Sequence, residues 1–248
     1  MKIIPIGESF DDLYIRKGVS NSEHQNFWQK ILAFDGYPEY GIRLSSSVDD
    51  YITSSFCISN EENEALDSYV ADSWGYINKY LTKNNSSYSI RHLERKNILS
   101  DIISKMPLSE LDFYRAVRTN GRCFFDPLIY KLNEGLINTG AVMTNNTFLS
   151  FTSNPYSLRA FSSDTIQGNV ENNCIIYKLS GGVKSISKIS PVDEFEGIIP
   201  PNNLFEVKHA RKLNIKIQSG QERNVWLIEM EKAQISSIPH CDFYGNFV

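Results

Sequence analysis

The hydrophobic period of this 248-residue chain changes near Pro107, and that change sets the fold class. Before it, apolar residues recur at helical spacing. Across Asn60–Leu81, the residues Leu66, Tyr69, Val70, Trp74, Ile77 and Leu81 fall on one helical stripe. Ser59 or Asn60 serves as N-cap, with acidic residues in the first turn. The polar loop Asn84-Asn85-Ser86-Ser87 leads to a second helix predicted over Ser89–Lys105, with Leu93, Ile98, Leu99, Ile102 and Ile103 as its stripe. Pro107 ends it, having no N–H to continue the ladder. Beyond that point the pattern is strand-like: Leu111–Val117, Asn146–Phe151, Asn173–Leu179, Glu196–Ile199, Phe205–His209, Leu213–Ile217 and Val225–Met230. Gly181-Gly182, Asn202-Asn203 and Ser219-Gly220 mark turns between them. Strands do not alternate with helices, which argues against a doubly wound sheet. The expectation is an α+β chain, residues 1–108 helical and 109–248 a β-rich core built as a small two-sheet sandwich.

Charge narrows the function classes. The formal net charge is −4, and no Lys/Arg run supplies the basic patch that phosphate neutralisation of a nucleic acid requires. No apolar run approaches the ~20 residues of a membrane span. The start, Met1-Lys-Ile-Ile-Pro-Ile-Gly-Glu-Ser9, turns polar too soon for a cleavable signal peptide. The four cysteines (57, 123, 174 and 241) form no C-x-x-C pair and have no histidine at metal-ligand spacing, so no metal site is expected.

Three segments carry chemistry. In Glu194-Phe195-Glu196, strand geometry turns both carboxylates to one face and Phe195 to the other. Like charges held together fit either a solvated strand edge or a shared site. Arg115 sits within the apolar strand Phe113-Tyr114-Arg115-Ala116-Val117. A guanidinium there either points to solvent from an edge strand or pairs with an anion such as a diphosphate or carboxylate. In Phe148-Leu149-Ser150-Phe151-Thr152-Ser153, the hydroxyls of Ser150 and Thr152 share a strand face and can hold a carboxylate. The same residue types also suit an ordinary strand-to-turn transition.

Taken in order, Arg, then Ser-x-Thr, then Glu-x-Glu, each on a predicted strand, this chain resembles the mono-ADP-ribosyltransferase toxins of the Arg-Ser-Glu class, the group that includes cholera-like and clostridial binary toxins. The match covers roughly Leu66–Met230. It extends to Tyr114-Arg115-Ala116, to Phe161 following Ser150, to Phe205-Glu206-Val207 after the Glu-x-Glu strand, and to the helix Tyr69…Asp72…Tyr76-Ile77-Asn78…Leu81. The middle motif departs from the family's Ser-Thr-Ser by reading Ser-Phe-Thr, and Ser153 offers a second register for the serine.

The resemblance implies NAD as co-substrate, with no metal, and an ADP-ribosyltransferase fold with an NAD cleft. It implies that Glu196 is the catalytic glutamate at the nicotinamide ribose, that Ser150 holds it, and that Arg115 grips the NAD phosphates. Ser150 and Thr152 would line the NAD site, Phe161 would pack on the nicotinamide ring, and the backbone of Ala116 would bind its amide. Glu194 would face the acceptor, with Ser190-Pro191-Val192-Asp193 as the recognition turn. In this family Glu-x-Glu goes with arginine acceptors, and some members modify threonine, including threonine on ubiquitin. A bacterial toxin or effector, secreted or translocated to act on a host protein in the host cytosol, is the implied setting. An NAD glycohydrolase and a catalytically silent binding module on the same fold are the alternatives.

Overall fold

The computed structural model describes residues 58–69, 77–78, 81, 90–106, 108–109, 111–153, 158–162, 171–185, 196–216, 221–234 and 238–248. Several predicted features lie outside the described residues: the segment Asn26–Leu32, Asp72, Tyr76, the loop Asn84–Ser87, the turn Ser190–Asp193, and both Glu194 and Phe195.

Among the described residues, two helices with continuous bounds precede the strands, α1 (Asn60–Ser68) and α2 (Ile90–Lys105). Ser59 is the N-cap of α1. Its hydroxyl accepts from the Glu62 amide at 3.2 Å, and the Glu62 carboxylate accepts from the Ser59 amide at 2.8 Å, a reciprocal capping box. Ile77, Asn78 and Leu81 are helical as predicted. Lys105 at the end of α2 reaches back to Glu62 at 2.5 Å and ties the two helices. Their buried faces, including Leu66, Tyr69, Ile77, Leu99, Ile102 and Ile103, pack with Phe148 and Ile198 from the sheet.

The strands are β1 (Leu108–Ser109), β2 (Asp112–Val117), β3 (Val142–Thr144), β4 (Leu149–Thr152), β5 (Cys174–Ser180), β6 (Val183–Ser185), β7 (Glu196–Ile199), β8 (Leu204–Lys216), β9 (Glu222–Lys232) and β10 (Cys241–Asp242). They form one continuous ladder in the order β1-β6-β7-β4-β2-β5-β9-β8-β3-β10. The two sheets expected from sequence are thus joined, and the join is narrow: β2 and β4 share a single register pair, Tyr114 with Thr152. One apolar cluster draws on both halves, with Phe151, Val183 and Ile199 from one side and Tyr177, Phe205 and Ile228 from the other. The fold is α+β, with most of its architecture in the sheet.

Three readings are corrected by the structure. The predicted segments Phe205–His209 and, as far as Lys216, Leu213–Ile217 belong to one strand, β8; Ile217 lies outside the described residues. A bulge at Lys208 shifts the register between Val207 and His209, so the core-side residue changes from Val207 to Ala210 and the alternation slips. The β-rich half also contains a helix not read from the sequence, α3 (Asp126–Asn133), which opens with Pro127 and buries Leu128, Lys131 and Leu132 at helical spacing. It also contains a one-turn helix, α4 (Arg159–Ser162). The two- and three-residue strands β1, β3, β6 and β10 are too short to leave a period in the sequence.

Candidate active site

Glu196 opens β7 directly opposite Thr152 of β4, and two residues on, Ile198 is opposite Ser150. Directly paired residues project to the same face, as do residues two apart along a strand. Ser150, Thr152 and Glu196 therefore share one face. The intervening Leu149, Phe151 and Ile199 turn into the main core. Glu196 is only 7 % exposed, so the solvated-edge reading does not hold for this carboxylate.

Arg115 lies on β2, a central strand flanked by β4 and β5, so it is not an edge-strand arginine. Past the Tyr114–Thr152 pair the two strands part. Across that parting the Nη1 of Arg115 donates to the main-chain carbonyl of Ser150 at 2.8 Å.

A third element closes the group. Tyr69, just past α1, is buried beneath it. Burial pushes its phenol well above the ordinary tyrosine value. The Ser150 side chain hydrogen-bonds it, while the charges of Glu196 and Arg115 act on it in opposite senses. The tyrosine hydroxyl thus bonds the Ser150 side chain and lies within electrostatic reach of Glu196 and Arg115. Asn78 holds the strand on which Ser150 sits: its Nδ2 donates to the Phe148 carbonyl at 3.2 Å and its Oδ1 accepts from the Phe148 amide at 3.1 Å. Phe148 itself packs edge-on against Tyr69, with ring centroids 5.9 Å apart.

The helix resemblance contains Tyr69 and Asn78, but no role was read for either from the sequence. The available signal was an asparagine inside an apolar helical stripe, because a buried amide must find partners. Ser150 meets Tyr69 through its side chain and Arg115 through its carbonyl, and Ser153, also buried, lies one residue beyond β4. Ala116 is buried on β2 opposite Ile176. Phe161 lies on α4 with its ring half exposed, available to a ligand rather than committed to the core. Glu194 lies outside the described residues.

The residue after Glu196 is constrained by packing. A Cβ at Gly197 would stand 2.5 Å from Val183 Cγ1 and 2.6 Å from Phe113 Cε1. No side chain fits there, so β7 lies close against its neighbours at the point where it presents the glutamate.

No protein-family model and no curated protein matches the sequence. Solved structures do match. The Vis toxin, an ADP-ribosyltransferase from Vibrio splendidus, superposes with a TM-score of 0.60 at 16 % identity, covering 88 % of this chain and 96 % of that one. Vis in complex with agmatine gives 0.62 at 17 %, covering 87 % and 96 %. The enzymatic component C2-I of the Clostridium botulinum C2 toxin gives 0.56 at 20 %, covering 80 % of this chain and 48 % of its own. An ADP-ribosyltransferase from the same bacterium, matched over nearly its whole length, gives 0.56 at 14 %, covering 80 % and 99 %. The chain has the fold of the bacterial ADP-ribosyltransferases.

Proposed function

We propose that this protein is a mono-ADP-ribosyltransferase of the Arg-Ser-Glu class, transferring ADP-ribose from NAD to a side chain of a host protein. The observation that carries this reading is the bond from Arg115 to Ser150 beside the strand face that Ser150, Thr152 and Glu196 share, within a fold shared with ADP-ribosyltransferases.

The residues present suit NAD. Glu196 is a buried carboxylate, placed to stabilise positive charge developing at the nicotinamide ribose as the glycosidic bond breaks. Ser150, on the same strand face, holds Glu196 in place, and Arg115 offers a planar fork to the diphosphate. The exposed ring of Phe161 is available to stack on nicotinamide. The C1′–N bond to nicotinamide breaks with its electron pair leaving on the base. The acceptor's lone pair forms the new bond at C1′, and its proton passes to Glu194. Arginine is the favoured acceptor and threonine the second. Agmatine, found bound to Vis, carries the guanidinium of an arginine side chain. Action in a host cytosol after secretion or translocation belongs to the same proposal.

The test is incubation with labelled NAD and a eukaryotic lysate, followed by mass-spectrometric mapping of the modified residue. Label on a defined side chain supports transfer. Free ADP-ribose and nicotinamide without labelled protein favours the glycohydrolase reading. NAD left intact would favour a silent binding module.

A further inference from the structure

The geometry points to Asn145 as a positioning residue that locks the β4–β7 register and so seats Glu196 opposite Thr152; this rests on the catalytic reading above. Asn145 is only 1 % exposed and lies just after β3, one residue before the strand that the sequence predicts over Asn146–Phe151. Its side chain makes three bonds to two separate stretches of backbone. Nδ2 donates to the Thr147 carbonyl at 2.7 Å, two residues before β4. The same nitrogen donates to the Pro200 carbonyl at 2.7 Å, the residue that follows β7. Oδ1 accepts from the Asn203 amide at 2.9 Å.

Main-chain bonds join the same two stretches. The Asn202 amide donates to the Asn145 carbonyl at 2.6 Å, and the Asn145 amide donates to the Asn203 carbonyl at 3.4 Å; within the second stretch the Asn203 side chain donates to the Pro200 carbonyl at 2.8 Å. Thr144 adds a hydroxyl bond to the Asn203 carbonyl at 3.0 Å. One buried amide therefore fastens the approach to β4 onto the turn leaving β7.

The clamp matters because of what these strands carry. β4 presents Ser150 and Thr152, β7 presents Glu196, and each contributes only four residues to their ladder. Slippage by one residue would turn every side chain of β7 to the opposite face, taking Glu196 away from Ser150. The bonds of Asn145 can be satisfied only in the observed register, because Pro200 and Thr147 must face the same nitrogen.

Two variants test this. Asn145→Asp keeps the acceptor for Asn203 and removes both donated bonds, while Asn145→Ala removes all three. The control is Asn246→Ala, which loosens the turn at Asp242 on the far end of the ladder without touching β4 or β7. Expected for Asn145→Asp is a kcat for NAD cleavage about 100-fold lower, the scale of a ~1 Å misplacement, with KM for NAD within about threefold. Hydrogen exchange should rise at the amides of β4 and β7 and stay unchanged in β5 and β9. Asn246→Ala at matched loss of thermal stability should keep wild-type kcat. Wild-type kcat together with unchanged β4 and β7 exchange in Asn145→Asp would overturn the proposal, as would an equal fall in kcat for the control. If the wild-type protein cleaves no NAD, the catalytic reading fails, and the clamp itself still stands or falls on the exchange pattern.

Discussion

Arg115 donates through Nη1 to the carbonyl of Ser150, 35 residues away in sequence and 2.8 Å away in space. That bond joins β2 to β4 where the ladder between them has stopped, and it places a positive charge beside the serine that shares a strand face with Glu196. Two effects should therefore separate. Arg115→Ala leaves a part-buried carbonyl without its partner, costing about 1–3 kcal/mol in urea unfolding, and should weaken NAD binding about 30-fold or more. Arg115→Lys should regain part of the stability but not the affinity, because an ammonium cannot serve the carbonyl and a diphosphate together. Calorimetric titration of NAD alongside urea melts reads both, and equal recovery of the two in the lysine variant would remove the dual role.

Asn78 should behave as a structural clamp on β4. Asn78→Ala strands both the N–H and the C=O of Phe148, which is 1 % exposed. The expected loss is about 2–4 kcal/mol, with faster amide exchange at Phe148 and reduced NAD turnover. Asn78→Asp keeps the acceptor and loses the donor, so its loss should be intermediate.

Glu196 and Glu194 should divide by reaction. Glu196→Gln should abolish both transfer and NAD hydrolysis while changing stability by no more than about 1 kcal/mol, since removing a buried charge offsets lost hydrogen bonds. Glu194→Gln should abolish transfer and leave hydrolysis largely intact. Measurable wild-type turnover of labelled NAD by Glu196→Gln would refute its assignment as the catalytic carboxylate.

Gly197→Ala should be costly for its size. The new methyl would meet Val183 and Phe113, both fully buried side chains in a packed core. A loss of about 1–3 kcal/mol is expected from overpacking. Adding Val183→Ala should make the double variant more stable than the sum of the singles, which a double-mutant cycle in denaturant measures.

Acid should loosen α1 from α2. The bond from Lys105, followed by the bond from the Ser59 amide, holds the Glu62 carboxyl below its usual range. A carboxylate whose folded value is depressed adds stability that is fully present above the unfolded glutamate value, near ~4.3. That contribution is lost as pH falls through the depressed folded value. The exposed setting of Lys105 keeps the pair to about 1 kcal/mol or less. Lys105→Gln should therefore melt earlier than wild type at pH about 7, and the gap should narrow towards pH about 3. A constant gap across that range would mean that the ion pair contributes nothing.

Short-range patterns in the sequence located most of the elements that carry the site. The stripe Leu99, Ile102 and Ile103 predicts α2, a cap at Ser59 or Asn60 followed by acidic residues predicts the start of α1, and Glu196–Ile199 is a strand with the bounds read from sequence. Caps, periods and turns act over a few residues, so one stretch of chain contains all the information they need. β8 escaped because its bulge at Lys208 breaks the alternation from which strands are read. α3 escaped because it spans only eight residues, barely two turns of period.

Sequence alone determined that this is an α+β chain, that Glu196 begins a strand, and that Arg115 and Ser150 lie on two others. Only the tertiary structure decided that β4 pairs with β7 in the register that sets Thr152 against Glu196, that Arg115 reaches Ser150 across the parting of β2 and β4, and that Tyr69, Asn78 and Asn145 hold this arrangement from behind. The physical reason is that register and polar pairing are set by partners 35 to 70 residues away. An asparagine reads as a turn residue or a helix interruption until the buried carbonyl it must satisfy is in place beside it.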